Sequence, residues 1–196
     1  KIRLLLFILF VYGTLASQNV VVSDELNMRN DIRYELIGEL KGRVLLFEDQ
    51  DNKFEIQAFD ENMRSSWRKE LELAKRNPEI LGVNALEDYF TVFYRHRHKG
   101  NTIIRADRFD PAANPVDTNT VFDFGGIFFT PKYEIVRSED RSKIMIFYVE
   151  NFKTINALVF DNNTMETLWN KSFEPDNFNF GEDVLHMVVN NEGEMY

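Results

Sequence analysis

The sequence contains no cysteine among its 196 residues. This absence excludes disulfides, thiolate catalysis, cysteine-bound zinc and a lipid attached through an N-terminal cysteine. Basic residues are also few, since 23 Lys and Arg stand against 32 Asp and Glu, and the net charge is −9. Because Lys and Arg provide most of the affinity for phosphate backbones, this acidity argues against a nucleic-acid partner.

Motifs for catalysis or ligand binding are missing as well. The sequence has no glycine-rich phosphate loop and no Gly-x-Ser-x-Gly nucleophile turn. Some pair of carboxylates is inevitable among 32 acidic residues, but none stands in an apolar setting that would raise its pKa and mark a general acid. The sequence therefore predicts no catalytic, cofactor-binding or metal-ligating residue and no cofactor.

The N-terminus contains a basic, an apolar and a small-residue segment in that order. Its apolar run, 4–12, is far shorter than the roughly 20 residues that span a bilayer. We interpret 1–17 as a secretory signal peptide cleaved after Ala16 or Ser17, and a membrane anchor or a buried strand as the alternative. The prediction is a secreted, periplasmic or cell-surface protein with a charge of −11 and no stable membrane span after signal removal.

Both ends of the sequence suggest a fragment of a longer protein. No Met precedes Lys1, and the chain stops at Tyr196 just as a further strand begins. A polar lead-in segment, 18–33, is expected to connect the signal peptide to a single domain over 34–196.

Short apolar runs separated by polar turn residues fill that domain, a pattern of strand, turn and strand. The 18 Phe suit strands, where flat rings pack on a half-buried surface, so the expected class is all-β. Even the most helix-like window, Ser65–Arg76, is interpreted as a strand with an irregular exit. The dipeptide Phe-Asp recurs at 59–60, 109–110 and 160–161, which are 50 and 51 residues apart.

A fixed period with four short strands per repeat is typical of a β-propeller. We predict an incomplete propeller with blades at about 34–76, 77–126 and 127–178, and a fourth that starts at about 179. A two-sheet sandwich with evenly spaced strands is the alternative.

One repeat also resembles a known family. Asp161, Thr164 and Trp169 have the spacing of the blade motif in PQQ-like, quinoprotein-type propellers, although Met165 stands where that family usually has Gly. The resemblance implies that these residues close the turn between the third and fourth strands, and that the Trp docks between blades. It implies architecture only and no quinone cofactor.

The other two copies of the motif are less complete. Asp60 and Trp67 form a version that is one residue shorter, and Asp110 begins a copy that has no Trp. Without the family, Asp still caps its own turn and a Trp ring still buries a large apolar area.

Several polar clusters are interpreted as turns. His96 and His98 project from one face of an extended strand, as a metal pair would, but a third ligand is missing and basic neighbours crowd them, so a solvated hairpin tip is expected. The stretches Asp49–Glu55 and Ser138–Ser142 are expected to be tight polar turns, and Gly125-Gly126 a bend that links blades.

Six phenylalanines flank the predicted connections between blades. Packing between blades is the expected role, with a surface that stacks on sugars or apolar peptide as the alternative. They are Phe122, Phe124, Phe128, Phe129, Phe178 and Phe180.

The predicted function is that of an exported binding or scaffold module that engages a protein or glycan. The alternatives are a hydrolase or other enzyme whose site lies in the propeller channel, and a structural subunit of an envelope assembly.

Overall fold

A computed structural model describes residues 20–22, 29, 32–50, 53–73, 78–126, 131–183 and 186–196. Within those ranges no helix is long and apolar enough to cross a membrane. The regular structure there consists of β1 (Arg33–Leu40), β2 (Arg43–Asp49), β3 (Phe54–Phe59), β4 (Ser65–Leu71), β5 (Glu79–Ala85), β6 (Phe90–His98), β7 (Asn101–Phe109), β8 (Pro115–Asp123), β9 (Glu134–Arg137), β10 (Lys143–Glu150), β11 (Thr154–Asp161) and β12 (Glu166–Phe173).

Each run of four consecutive strands forms its own antiparallel sheet, and hydrogen bonds join strands in chain order. The short polar turns between apolar runs favour this arrangement, because antiparallel neighbours need only a tight hairpin to connect them. We refer to the sheets β1–β4, β5–β8 and β9–β12 as the first, second and third blades.

The hydrophobic core lies between blades rather than within one sheet. Alternate residues of each strand point to opposite faces, so both faces of the middle strands can be buried. One buried cluster joins Phe47 of the first blade to Tyr94 of the second, and another joins Phe93 of the second to Phe160 of the third. A third cluster joins Val159 to Val189, beyond the third blade.

The first strands of the three sheets lie together, since β1 contacts β5 and β5 contacts β9. Sheets that share a centre through their first strands and stack face to face are the blades of a β-propeller. The predicted all-β propeller is therefore confirmed, and the sandwich alternative is wrong. A hairpin in which Val189 pairs with Met195 follows the third blade, and the described blades form an open arc, not a closed ring.

Because the strands of a blade alternate in direction, its connections fall on two opposite faces of the arc. The turn face carries the turns between first and second strands and between third and fourth strands. The linker face carries the turns between second and third strands and the connections from one blade to the next.

A repeated Asp organises the turn face. Asp60 and Asp110 directly follow the third strand and Asp161 ends it, and each accepts a hydrogen bond from the backbone N–H two residues on, at 2.8–2.9 Å. Each also accepts a second backbone N–H, from Arg64, Asn114 or Thr164. The turn after Asp161 is one residue longer than the other two.

These turns need a residue in the left-handed region. Met63, Ala113 and Met165 occupy it, with φ of 59°, 57° and 63°. Met165, which stands where the similar family usually has Gly, is thus the left-handed residue of its turn. The left-handed conformation costs a residue other than Gly about 1–2 kcal/mol.

Each blade also has a β-bulge just beyond this turn. The register between third and fourth strands shifts at Ala58/Phe59, at Arg108/Phe109 and at Val159/Phe160. Beyond the shift, Ala58 pairs with Trp67 and Val159 pairs with Trp169. The two tryptophans therefore hold equivalent places despite the different turn lengths.

Both tryptophans dock against the next unit of the chain. Trp67 packs on a cluster that includes Phe109 of the second blade. Trp169 packs near Val189 and donates its indole N–H to the Gly193 carbonyl at 2.8 Å.

In the second blade the equivalent position is Asp117, paired with Arg108. Arg108 donates to the backbone carbonyls of Asn162, through a short contact, and Asn163, at 3.2 Å, and so reaches the third blade. Burial lowers the pKa of the Arg108 guanidinium, an effect partly offset by the carboxylates of Asp117 and Asp161. Polar bonds thus replace the indole as the contact between second and third blades.

Candidate functional site

An aromatic cluster lies on the linker face between the second and third blades. The rings of Phe124, Tyr133 and Tyr148 are mutually 5.4–5.8 Å apart, and Phe122 lies 4.7 Å from Phe124. Tilted and edge-on contacts of this kind stabilise ring clusters beyond the burial of their area. Arg95 adds a cation–π contact, 5.7 Å above the Tyr133 ring.

Burial in this cluster raises the pKa of both phenols. The pKa of Tyr133 rises to about 12, chiefly through desolvation, although Arg95 opposes the shift. Desolvation also raises the pKa of Tyr148, with a smaller contribution from Glu150. Both hydroxyl groups therefore stay protonated and neutral at physiological pH. The Tyr133 hydroxyl is buried and has no hydrogen-bond partner.

A cleft of about 80 Å³ opens beside the aromatic cluster. Phe122 and Phe124, at the end of the second blade, line one side, and Tyr148 lies on the other. Three uncharged polar residues of the third blade complete it, and they are Asn156, Asn170 and Ser172. We call this hollow the inter-blade cleft.

Asn156 leaves a hydrogen-bond donor unused in this cleft. Its side-chain carbonyl accepts the Ser172 hydroxyl at 2.6 Å, whereas its buried Nδ2 donates to no partner. Leaving a buried amide donor without a partner costs about 1–3 kcal/mol. A ligand that supplied an acceptor oxygen would recover that cost.

The strand register shows that every blade has polar groups at this place. Tyr148 pairs with Asn156 in the third blade, as Tyr94 pairs with Arg105 in the second. In the second blade Tyr94 donates to Asp107 at 2.8 Å and Arg105 donates to Thr118 at 2.6 Å. The Arg105 Nε has no hydrogen-bond partner there, but it lies 3.9 Å from the Asp107 carboxylate.

The first blade fills the same place with charges. Glu48 pairs with Glu55 there, and Arg68 donates to Glu48 at 3.1 Å and to Gln57 at 3.0 Å. Burial raises the pKa of Glu48, with Arg68 opposing the shift. Of the three equivalent places, only that of the third blade combines a cleft with an unpaired amide donor.

Ion pairs engage three acidic side chains of the inner strands, where a channel enzyme would hold its acids. Glu35 binds Arg137 at 2.9 Å, Glu134 binds Lys132 at 2.8 Å, and Glu79 binds Arg95 through a short contact. Among the residues that the structure describes, no group of three His, Asp or Glu could hold a metal ion.

Two larger hollows each include an aspartate that is already bonded. One, of about 230 Å³, includes Asp107, whose carboxylate accepts from Tyr94 and Thr118. The other, of about 320 Å³, includes Asp110, which accepts from two backbone N–H groups. Neither offers the unused donor found in the inter-blade cleft.

The histidine prediction is partly wrong. His98 is exposed at the hairpin tip, but His96 is only 4% exposed and lies 6.1 Å from the Tyr94 ring. His96 and His98 point to the same side of β6, because side chains two residues apart share a face. His98 lies at the exposed end of the strand, so only His96, which is nearer the core, is buried.

The predicted turns and bends lie as follows. In the predicted turn Asp49–Glu55, Asp49 ends β2 and Phe54 begins β3. The Gln50 N–H donates to the Lys53 carbonyl at 2.9 Å, which closes this hairpin. Asp140 accepts from the hydroxyls of Ser138 and Ser142 at 2.7 and 2.9 Å, which closes the turn between β9 and β10. Gly125 has a φ of 68° and bends the chain directly after the second blade.

Two of the six phenylalanines, Phe128 and Phe129, lie outside the described residues. Phe122 and Phe124 pack on the cluster between the second and third blades, and Phe178 packs on the cluster beyond the third. Phe180 is 43% exposed. No sequence pattern marks Tyr133, Tyr148 or Asn156, because their proximity depends on strand register and on the stacking of blades.

No family model and no curated protein matches the sequence. Among solved structures, the chain is similar to the Dos1 propeller, with a TM-score of 0.49 and 12% identity over 76% of this chain and 38% of that one. It is also similar to the hydrazine synthase of Kuenenia stuttgartiensis, with a TM-score of 0.44 and 10% identity over 78% of this chain and 38% of that one.

A third similar structure is prolyl oligopeptidase B from Galerina marginata, with a TM-score of 0.45 and 10% identity over 86% of this chain and 24% of that one. The chain thus spans well under half the length of each of these chains. Similarity at this level concerns the course of the backbone and assigns no activity.

Proposed function

We propose that this protein is a propeller binding module that engages a protein or glycan partner through its linker face. The observation that carries the proposal is the inter-blade cleft, where aromatic rings surround the unused donor of Asn156. Small-molecule and side-chain sites commonly combine an apolar wall with a few convergent polar groups.

Two exposed phenylalanines support the choice of the linker face. Phe152 is 64% exposed and Phe180 is 43% exposed. Phe180 donates its backbone N–H to the Phe152 carbonyl at 2.8 Å, so the two aromatic residues are neighbours.

The test uses a displayed random-peptide library and a printed glycan array as probes of the full chain. Any binder is then measured again with Phe152→Ser and Phe180→Ser, and with Val116→Ser as the control. Val116 is a matched control because it is 50% exposed and lies at the turn-face end of β8.

We expect binding to weaken in the two linker-face variants and to persist in Val116→Ser. Loss of binding in Val116→Ser alone would place recognition on the turn face and overturn the proposal. The absence of any binder among both sets of probes would overturn it as well.

A further inference from the structure

We propose that the inter-blade cleft binds one neutral sugar ring, which packs on Phe122 and Phe124 and hydrogen-bonds Asn156, Asn170 and Ser172. This inference rests on the proposed function and names the class of ligand at the same site. Three features of the cleft carry it, namely its polar groups, its aromatic wall and its size.

The polar groups of the cleft are suited to hydroxyl groups. Asn156 and Asn170 each present an amide, and Ser172 and Tyr148 each present a hydroxyl. Amides and hydroxyls both donate and accept, as sugar hydroxyls do, so each can bond a hydroxyl in either direction. Among the described residues that line the cleft, none carries a carboxylate and Lys171 is the one charged residue, so a ligand needs no formal charge.

The unused Asn156 donor distinguishes a ligand site from ordinary packing between blades. At the equivalent place in the second blade, the buried Arg105 Nε also lacks a hydrogen-bond partner, but the Asp107 carboxylate lies 3.9 Å away and supplies a counter-charge. In the third blade, Leu158 replaces the acidic partner, since Leu158 pairs with Asn170 as Asp107 pairs with Thr118. The replacement removes an internal acceptor and a negative charge beside the amide.

The aromatic wall supplies the apolar contact that a sugar ring needs. Phe122 and Phe124 meet at an interplanar angle of 69°, so the two rings form a corner rather than a stack. Both side chains are only partly buried and line the cleft. The C–H groups of a pyranose ring can pack against such a corner while its hydroxyls face the amides.

The size of the cleft fits one edge of one ring. A volume of about 80 Å³ corresponds to about six water-sized probes, at roughly 10–15 Å³ each. The remainder of the sugar would project toward solvent, because Asn170, Lys171 and Ser172 at the rim are exposed. The occupant is therefore a terminal ring or a single sugar unit.

The test is saturation-transfer NMR of the full chain with the methyl glycosides of glucose, galactose, mannose and N-acetylglucosamine. We expect at least one to bind with a Kd in the millimolar range, on the order of −4 kcal/mol. Asn156→Leu should weaken that sugar about tenfold, because it removes the donor and the acceptor together.

Two further variants keep the test decisive. Ser172→Ala, at an exposed residue, should weaken the same sugar by a few-fold without a risk to folding. Asn163→Ala should leave binding unchanged, since Asn163 is an exposed amide at the opposite, turn-face end of the third blade. Circular dichroism of each variant checks that the fold is retained.

The result that overturns the sugar class is distinct from the failure of the proposed function. If no glycoside binds and N-acetyl amino-acid amides bind with the same Asn156 dependence, the cleft is a peptide site and the sugar inference is wrong. If neither the glycosides nor the amides bind, and Phe152→Ser and Phe180→Ser weaken the binding of no peptide or glycan partner, the proposed function fails too. Equal sugar binding by Asn156→Leu and the wild type also overturns the inference.

Discussion

The Arg137 guanidinium lies 2.9 Å from the Glu35 carboxylate and so joins the third blade to the first across the second. The same two side chains bond the strand between them. Glu35 accepts the Val83 N–H at 3.1 Å, and Arg137 donates to the Val83 carbonyl at 2.8 Å. The neighbouring Gly82 leaves room for this clamp, since a Cβ there would lie 3.3 Å from the guanidinium.

We expect Arg137→Met to lower the free energy of unfolding by about 1–2 kcal/mol. The estimate reflects lost hydrogen bonds to charged groups, reduced because the Arg137 and Glu35 side chains are 35% and 21% exposed. Urea unfolding measures the effect. The control is Lys132→Met, which breaks a largely exposed pair and should produce no measurable change.

A double-mutant cycle with Glu35→Gln tests whether the clamp acts as a unit. Coupled residues show interaction free energies of about 0.5–3 kcal/mol. Additive effects of Arg137→Met and Glu35→Gln would contradict the clamp.

Arg108→Leu should lower the free energy of unfolding by about 1–3 kcal/mol, because it removes the donor from the carbonyl of the buried Asn162. Urea unfolding again provides the measurement. Arg64→Leu, at an exposed arginine in the first-blade turn, is the matched control and should have little effect. Equal effects of the two variants would show that Arg108 does not hold the blades together.

Asp110 should contribute to acid unfolding. Burial alone would raise its pKa, but hydrogen bonds from Asn114 and Ala112 outweigh that effect and lower the pKa below its ordinary value of 3.8. A carboxyl with a lowered pKa in the folded state stabilises the protein above the unfolded-state pKa. That contribution is lost as the pH falls through the folded-state pKa.

The stability of the wild type should therefore fall more steeply below about pH 4 than that of Asp110→Asn, which keeps an acceptor oxygen without a charge. Urea unfolding at a series of pH values measures both curves. Parallel curves through the acid range would contradict the prediction.

Met165→Gly should destabilise the protein by about 1–3 kcal/mol. Gly relieves the left-handed backbone, at a gain of about 1 kcal/mol, but the substitution removes a side chain that is only 2% exposed. Met63→Gly is the matched control, at the left-handed position of the first-blade turn, where Met is only partly buried. Its effect should lie within about 1 kcal/mol of zero, and thermal unfolding compares the two variants.

The strands and the blade repeat were predictable because they depend on local patterns. Alternating apolar residues mark the strands, and the Phe-Asp dipeptide marks the end of each third strand. The tight turn at Ser138–Ser142 follows from short-range chemistry, in which Asp140 bonds residues two away on either side. Such features need no knowledge of the rest of the chain.

The contacts between blades were not predictable from the same patterns. Asp117 takes the place of a Trp because a bulge sets the register, and the bulge is invisible in the sequence. His96 was expected to be solvated, and it is buried because it lies two residues nearer the core of the blade than the exposed His98. Glu35 and Arg137 lie 102 residues apart, so only the convergence of the inner strands brings them together.

The bulge that follows each Asp turn has a practical consequence for altering this chain. The turn after Asp161 has one residue more than the turn after Asp60, yet Trp169 and Trp67 occupy the same place in their sheets. Hairpin length and outer-strand register are therefore independent at this point. An epitope tag or a fluorescent label inserted after Asn62 or Asn163 would change the loop without displacing the tryptophan that follows it.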